Sequence, residues 1–121
     1  CVNNSNSVLE LDYGCDNPHF DVFARISEVD DRGRSSNVSD GFRRFVAVPD
    51  GPIRLELDPI AHRFSAGSRL RVVIAGGCHP RFARNLGTGE PALHGHRMVG
   101  SVHTVRYGQA SRLTLPVTVS L

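Results

Sequence analysis

The stretch "FDVFARISEV", Phe20 to Val29, decides the fold class. Its apolar residues alternate with polar ones only in part. Phe, Val and Ile crowd both sets of alternate positions, which is the pattern of a strand covered on both faces. Working outward, "VLELDY" (Val8 to Tyr13) alternates cleanly, as a strand with one wet face does. Further strands are expected at "FRRFVAV" (Phe42 to Val48), "IRLELD" (Ile53 to Asp58) and "RLRVVIA" (Arg69 to Ala75). Two more follow at "VGSVHTVRY" (Val99 to Tyr107) and "RLTLPVTVSL" (Arg112 to Leu121), with Pro116 implying an edge or a bulge. Turn residues separate them: "DDRGRSSN", "SDG", "PDGP", "SAGS", "GGCHP" and "YGQAS". No stretch sustains a 3.6-residue apolar period, although "DPIAHRFSAG" has room for one short helical turn. Many short strands joined in this way predict an all-β sandwich or barrel.

The longest segment outside these strands runs from His79 to Gly95 and contains "HPRFARNLGTGEP". Long ordered loops in compact domains usually have a task. Arg81, Arg84 and Asn85 are its candidate working residues, in a catalytic loop, a ligand loop or a structural corner.

Composition narrows the choice. The 121 residues suit one domain, 1–121, near the lower end for an independent core. A net charge of +2 is too small to argue for a nucleic-acid partner. Every basic residue is Arg, whose fork favours carboxylates at domain contacts. Cys1, Cys15 and Cys78 form no C-x-x-C pair, so neither a disulfide framework nor a zinc knuckle is expected. No apolar run is long enough to span a membrane and no signal peptide appears, so no membrane partner is expected and the location reads as cytoplasmic. The opening "CVNNSNSV" reads as a piece of a longer polypeptide.

No catalytic residue is expected. A serine-hydrolase elbow needs G-x-S-x-G on a strand-to-helix turn. Ser68 follows Gly67 but leads straight into a strand. Cys78 and His79 are neighbours in sequence, whereas a nucleophile and its base meet in space. No metal site or cofactor is expected either. His94 and His96 have an H-x-H spacing without a third ligand nearby, and read as solvated loop residues. His19, His62 and His103 are isolated, and His103 reads as a hydrogen-bonded structural residue within a strand. Asp30, Asp31 and Asp40 flank "RGRSSNVS" and raise calcium, but Arg32 and Arg34 interrupt them, so turn capping and Arg–Asp pairing are expected. The N-x-S sequons at Asn3 and Asn37 read as chance. With no Trp and two Tyr, the chain has little aromatic surface for sugar stacking.

The segments "DVFARISEVDDRGRSSNVSDGFRRF", "AHRFSAGSRLRVVIAGGCHPRFARNLGTGE" and "ASRLTLPV" resemble the C-terminal domain of the X-prolyl dipeptidyl-peptidase and cocaine-esterase family of serine hydrolases. The resemblance covers about residues 8 to 121, and "HPRFARNLGTG" is its most specific block. It implies a jelly-roll β-sandwich, galactose-binding-like, that is non-catalytic. The triad of that family lies in a preceding α/β-hydrolase domain of the same polypeptide, which this domain would pack on and whose active-site cleft it would help shape. Arg81, Arg84 and Asn85 then become a structural corner facing that domain. The glycines of "NLGTG" permit tight turns after Arg84, which is expected to be at least half buried and bonded to a carboxylate or loop carbonyls. Ser68 stands where family members often carry His. The resemblance also implies first strands preceding "VLELDY" that are missing here. An open edge of this kind predicts a homodimer of the fragment. The alternative class is a free-standing carbohydrate- or calcium-binding β-sandwich module.

Overall fold

The computed structural model describes residues 6–59, 61–77, 85–89 and 98–117. Within them lie seven strands: β1 (Val8–Cys15), β2 (Phe20–Val29), β3 (Ser35–Phe45), β4 (Ile53–Glu56), β5 (Arg69–Ala75), β6 (His103–Arg106) and β7 (Arg112–Thr114). All pairings are antiparallel and form two sheets. In one, β1 pairs with β4 over Val8–Leu11, with β7 over Val8–Glu10 and with β6 over Asp12–Cys15. The other has the order β3-β2-β5. The chain changes sheet after β1, β3, β4 and β5, so the two sheets form a β-sandwich.

The core follows from alternation. Leu9, Leu11 and Tyr13 point inward from β1, where register sets Leu9 opposite Leu55 and Leu11 opposite Ile53 of β4, and Tyr13 opposite Val105 of β6. Facing them, β2 contributes Phe20, Val22, Ala24 and Ile26, and β3 adds Phe45. The Phe20 ring stacks between Tyr13 and Phe45, with centroids 5.7 and 4.7 Å away. Each such side chain, fully buried, stabilises the fold by about 1.5–3 kcal/mol.

The outer face of β2 explains its broken alternation. Asp21, Phe23, Ser27 and Val29 on that face are also buried. Register sets Asp21 opposite Arg44, Phe23 opposite Phe42 and Arg25 opposite Asp40. Arg25 also lies over the Phe23 ring, 5.2 Å from its centroid.

Several expectations change: β6 covers only His103–Arg106 of the expected Val99–Tyr107, and β3 and β4 end at Phe45 and Glu56, short of Val48 and Asp58. β3 begins at Ser35, seven residues before the expected "FRRFVAV", and takes in the polar "SSNVSDG" that read as turn residues. β2 has ten residues whose backbone groups need partners, and this supplies them for a polar edge strand. A register shift between Ile26 and Ser27 leaves Val38 as the extra residue, a bulge that hides the strand's period. Gly41, within that stretch, sits where β3 crosses the end of β4: a Cβ there would lie 2.7 Å from the Glu56 carbonyl oxygen. The described residues of "DPIAHRFSAG" form no helix. β7 stops at Thr114, ahead of Pro116, which has no amide hydrogen to offer a ladder. No helix among the described residues is long and apolar enough to cross a membrane.

Candidate functional site

Three clusters of polar side chains bring together residue types that can carry chemistry, and each is assembled from distant parts of the chain.

The first gathers on Glu28, near the end of β2. Its Oε1 lies 2.9 Å from Nε2 of His62. Its Oε2 accepts from the Ser65 amide at 2.7 Å and from the Ser68 hydroxyl at 2.6 Å. The Ser68 hydroxyl also lies 2.7 Å from the Ser65 carbonyl, and His62 is edge-on to Phe64. Ser68 first, then Ser65 and His62, hold the Glu28 carboxyl below its ordinary range. Serine, histidine and carboxylate are the residue types of a triad, but the order of contacts is wrong. A nucleophilic serine must bond to the histidine, and the histidine to the acid. Here both bond to the acid, and among the described residues no histidine touches Ser68. The arrangement clamps the loop leading into β5.

The second cluster lies where β1 pairs with β6. The Tyr13 hydroxyl bonds to Nδ1 of His103, whose Nε2 lies 2.9 Å from the Ser101 hydroxyl. The His103 ring stands edge-on to Tyr13 and Phe20. Tyr13 and His103 border a cleft of about 420 Å³ whose far wall is Val72, Ile74 and Gly76. Burial, with a lesser contribution from Cys15, pushes the Tyr13 hydroxyl up to about 12, so it stays neutral at ordinary pH. Ser101 does touch a histidine. Its third member is a neutral phenol, which supplies no negative charge to an imidazolium formed by taking the serine's proton.

The third cluster surrounds Asp21 on the outer face of β2. Arg44 holds its carboxylate with both nitrogens of one fork edge, and Asn85 donates from Nδ2 to Oδ1 at 2.8 Å. Asn85 also accepts the Gly87 amide at 3.0 Å. Asn17 donates to the Gly87 carbonyl at 2.9 Å and accepts the His19 amide at 2.9 Å. Gly87 has φ +76°, and a Cβ there would lie 2.6 Å from the Val99 carbonyl oxygen. The residues Asn85–Gly89 are thereby held against the β1–β2 turn. Arg81 and Arg84, the other two candidates for this corner, lie outside the described residues, as do Cys78, His79, His94 and His96.

The acidic loop carries its own partners. Asp30 accepts the amides of Arg32 and Arg34 at 2.9 and 2.8 Å and pairs with the Arg34 side chain at 2.8 Å. Asp40 pairs with Arg25. Among the described residues no three His, Cys, Asp or Glu side chains converge as a metal cage would require.

Sequence reasoning singled out Ser68 and Asn85 but missed Glu28, Asp21 and Tyr13 as the groups they and His103 meet. No local signal marks these, since each pairing spans dozens of residues.

Residues 6–114 match the family profile of the X-Pro dipeptidyl-peptidase C-terminal non-catalytic domain. No curated protein matches the chain.

Proposed function

Since the chain belongs to the family of X-Pro dipeptidyl-peptidase C-terminal non-catalytic domains, we propose that it packs on an α/β-hydrolase-type catalytic domain of the same polypeptide and shapes one side of its active-site cleft. The parent activity is acyl transfer on X-Pro peptides or small acyl esters, through a serine acyl-enzyme and an oxyanion hole. Nucleophile, base and orienting acid all belong to the other domain. The observation that carries this reading is the order of contacts. Ser68 bonds to a carboxylate instead of a histidine, and the histidine beside Ser101 is backed by a phenol. The corner that begins at Asn85 is the docking element. Asn85 is fixed to Asp21, and Arg81 and Arg84, which precede it in sequence, are the candidate partners for carboxylates of the hydrolase domain.

A fluorophosphonate probe, which labels activated serines, tests this. The 121-residue chain should remain unlabelled and should not hydrolyse X-Pro anilides or p-nitrophenyl esters. The longer polypeptide should be labelled at a serine outside this domain and should turn over at least one of these substrates. Labelling at Ser68 or Ser101 would overturn the reading. So would an Asn85→Ala, Arg81→Ala, Arg84→Ala triple variant of the longer polypeptide with unchanged KM and kcat.

A further inference from the structure

We propose that the outer face of the β3-β2-β5 sheet, at the end where β5 begins, is an arginine surface that docks onto carboxylates of the hydrolase domain. The proposal rests on the presence of that domain in the same polypeptide.

Most of the described arginines already have partners. Arg25, Arg34, Arg44, Arg54, Arg106 and Arg112 form ion pairs within the chain, and Arg43 donates to the Arg54 carbonyl. Among the described residues, Arg32, Arg63, Arg69 and Arg71 have no partner for their guanidinium groups, and all four are exposed. These four are gathered at one end of the sheet. Arg32 sits in the β2–β3 turn, Arg63 in the connection to β5, and Arg69 and Arg71 at the start of β5. A cleft of about 300 Å³, lined by Asp30, Asp31, Gly33, Gly67 and Arg69, joins the turn to the strand. Two acids of this end are engaged: Glu28 holds His62, Ser65 and Ser68, and Asp30 holds Arg34. Among the described residues that leaves Asp31 against four arginines.

Register puts Arg71 opposite Ser27 and Arg69 opposite Val29, on the same outer face as Asp21. Val73 lies on that face too and is 40% exposed. From Asp21 to Val29 the strand runs about 26 Å. A standard interface covers about 800 Å² per partner, roughly 28 Å across. One docked surface therefore reaches from the Asn85 corner to these arginines.

Charge identifies the occupant. Like charges crowded together repel, and an acidic partner turns that repulsion into attraction. The chain does not hold the acids itself. Its segments 1–5, 60, 78–84, 90–97 and 118–121 carry one acidic side chain, Glu90, against Arg81, Arg84 and Arg97. A second copy is no better supplied, since Glu10, Asp12, Asp21, Asp30, Asp40 and Glu56 are already in ion pairs. The net charge of +2 and the acids interleaved at this end disfavour a nucleic acid. The hydrolase domain, by contrast, is held beside this one by the polypeptide, at high effective concentration. Arg69 and Arg71 lie about 7 Å apart, the spacing of alternate side chains in an extended segment. The partner element is an extended stretch of that domain with carboxylates at alternate positions, each taking one arginine fork.

Phenylglyoxal condenses with accessible guanidinium groups, and peptide mass mapping reads its rate at each arginine. In the 121-residue chain at low micromolar concentration, Arg69 and Arg71 should react readily. In the longer polypeptide both should react at least ten-fold more slowly, while Arg112, on the outer face of the other sheet, should react alike in the two. Raising NaCl from 50 to 500 mM should restore much of the lost reactivity, as salt screens the ionic contacts. Protection indifferent to salt would mean an uncharged cover and would overturn the proposal. So would protection of Arg112 in place of Arg69 and Arg71. If Arg81 and Arg84 are slowed in the longer polypeptide but Arg69 and Arg71 are not, the corner docks without this surface and only the present proposal fails. If none of the four is slowed, the docking reading fails with it. Slow reaction of Arg69 and Arg71 already in the dilute 121-residue chain would mean that its own residues cover them. Slowing that grows with its concentration would name a second copy, and slowing by a single-stranded oligonucleotide at 150 mM NaCl would name a nucleic acid. Each of these three results would overturn the proposal.

Discussion

Arg44 forks onto Asp21, its Nε 2.8 Å from Oδ1 and its Nη2 2.9 Å from Oδ2. The carboxylate is 2% exposed and the arginine side chain 39%. Asn85 brings a third donor to the same group. Removing one partner of a fully buried ion pair costs roughly 3–5 kcal/mol, because the other charge is left without compensation. The wet side of Arg44 moderates this, so Arg44→Ala should cost about 2–3 kcal/mol by urea unfolding, toward or below the lower end of that range. The Arg44→Ala, Asp21→Ala double variant should lose less than the sum of the two single losses. Additive losses would mean that the fork contributes nothing of its own.

Gly41 and Gly51 make a matched pair. A Cβ at Gly41 would lie 2.7 Å from the Glu56 carbonyl oxygen and 2.9 Å from Leu57 Cδ2, whereas one at Gly51 meets nothing within 4 Å. Overpacking of a tight site costs about 1–3 kcal/mol. Gly41→Ala should lower the urea midpoint by an amount in that range. Gly51→Ala should stay within about 0.5 kcal/mol of the parent. Equal midpoints for the two variants would show that the β3–β4 crossing relaxes freely.

Glu28 sets an acid-side dependence. Ser68, Ser65 and His62, in that order, lower its carboxyl in the folded chain. A depressed folded value means that the ionised form stabilises the fold above the unfolded value of about 4.3. That contribution is lost as pH falls through the lower folded value. Stability should therefore decline below about pH 4.3, and Glu28→Gln should flatten the decline. Parallel pH profiles for the parent and Glu28→Gln would contradict the clamp.

Tyr13 acts at the alkaline end. Its hydroxyl is pushed up to about 12, against an ordinary value of 10.0, chiefly by burial. The folded chain then holds this proton more tightly than the unfolded one. The stabilisation is complete below pH 10.0 and drains away as pH rises toward about 12. Tyr107→Phe leaves Tyr13 as the sole tyrosine. Tyrosinate absorbance in that variant should reach its half-point near 12, or jump together with unfolding. A smooth titration centred at 10.0 in folded protein would show that Tyr13 is in contact with water.

Which parts were legible beforehand depends on the range of the signal. β2 and β5 fall where their local runs of β-branched and aromatic residues between turn residues put them, at Phe20–Val29 and Arg69–Ala75, because those signals are written in neighbouring residues. β1 was found by its alternation and runs two residues further, to Cys15. The all-β class and the family follow from the sequence as well. The polar half of β3 was invisible, since its strand conformation is imposed by β2 across the ladder and its bulge erases the period.

The polar clusters were decided only by tertiary structure. His62 meets Glu28 across 34 positions, Asn85 meets Asp21 across 64, and His103 meets Tyr13 across 90. No local pattern encodes such pairs, because hydrogen-bond partners are chosen by where two sheets and their connecting turns bring side chains together. The strand and turn pattern was enough for an all-β sandwich or barrel without a nucleophile elbow, and the two packed sheets made it a sandwich. The same packing put Ser68 and His62 on Glu28, and Ser101 and His103 beside Tyr13.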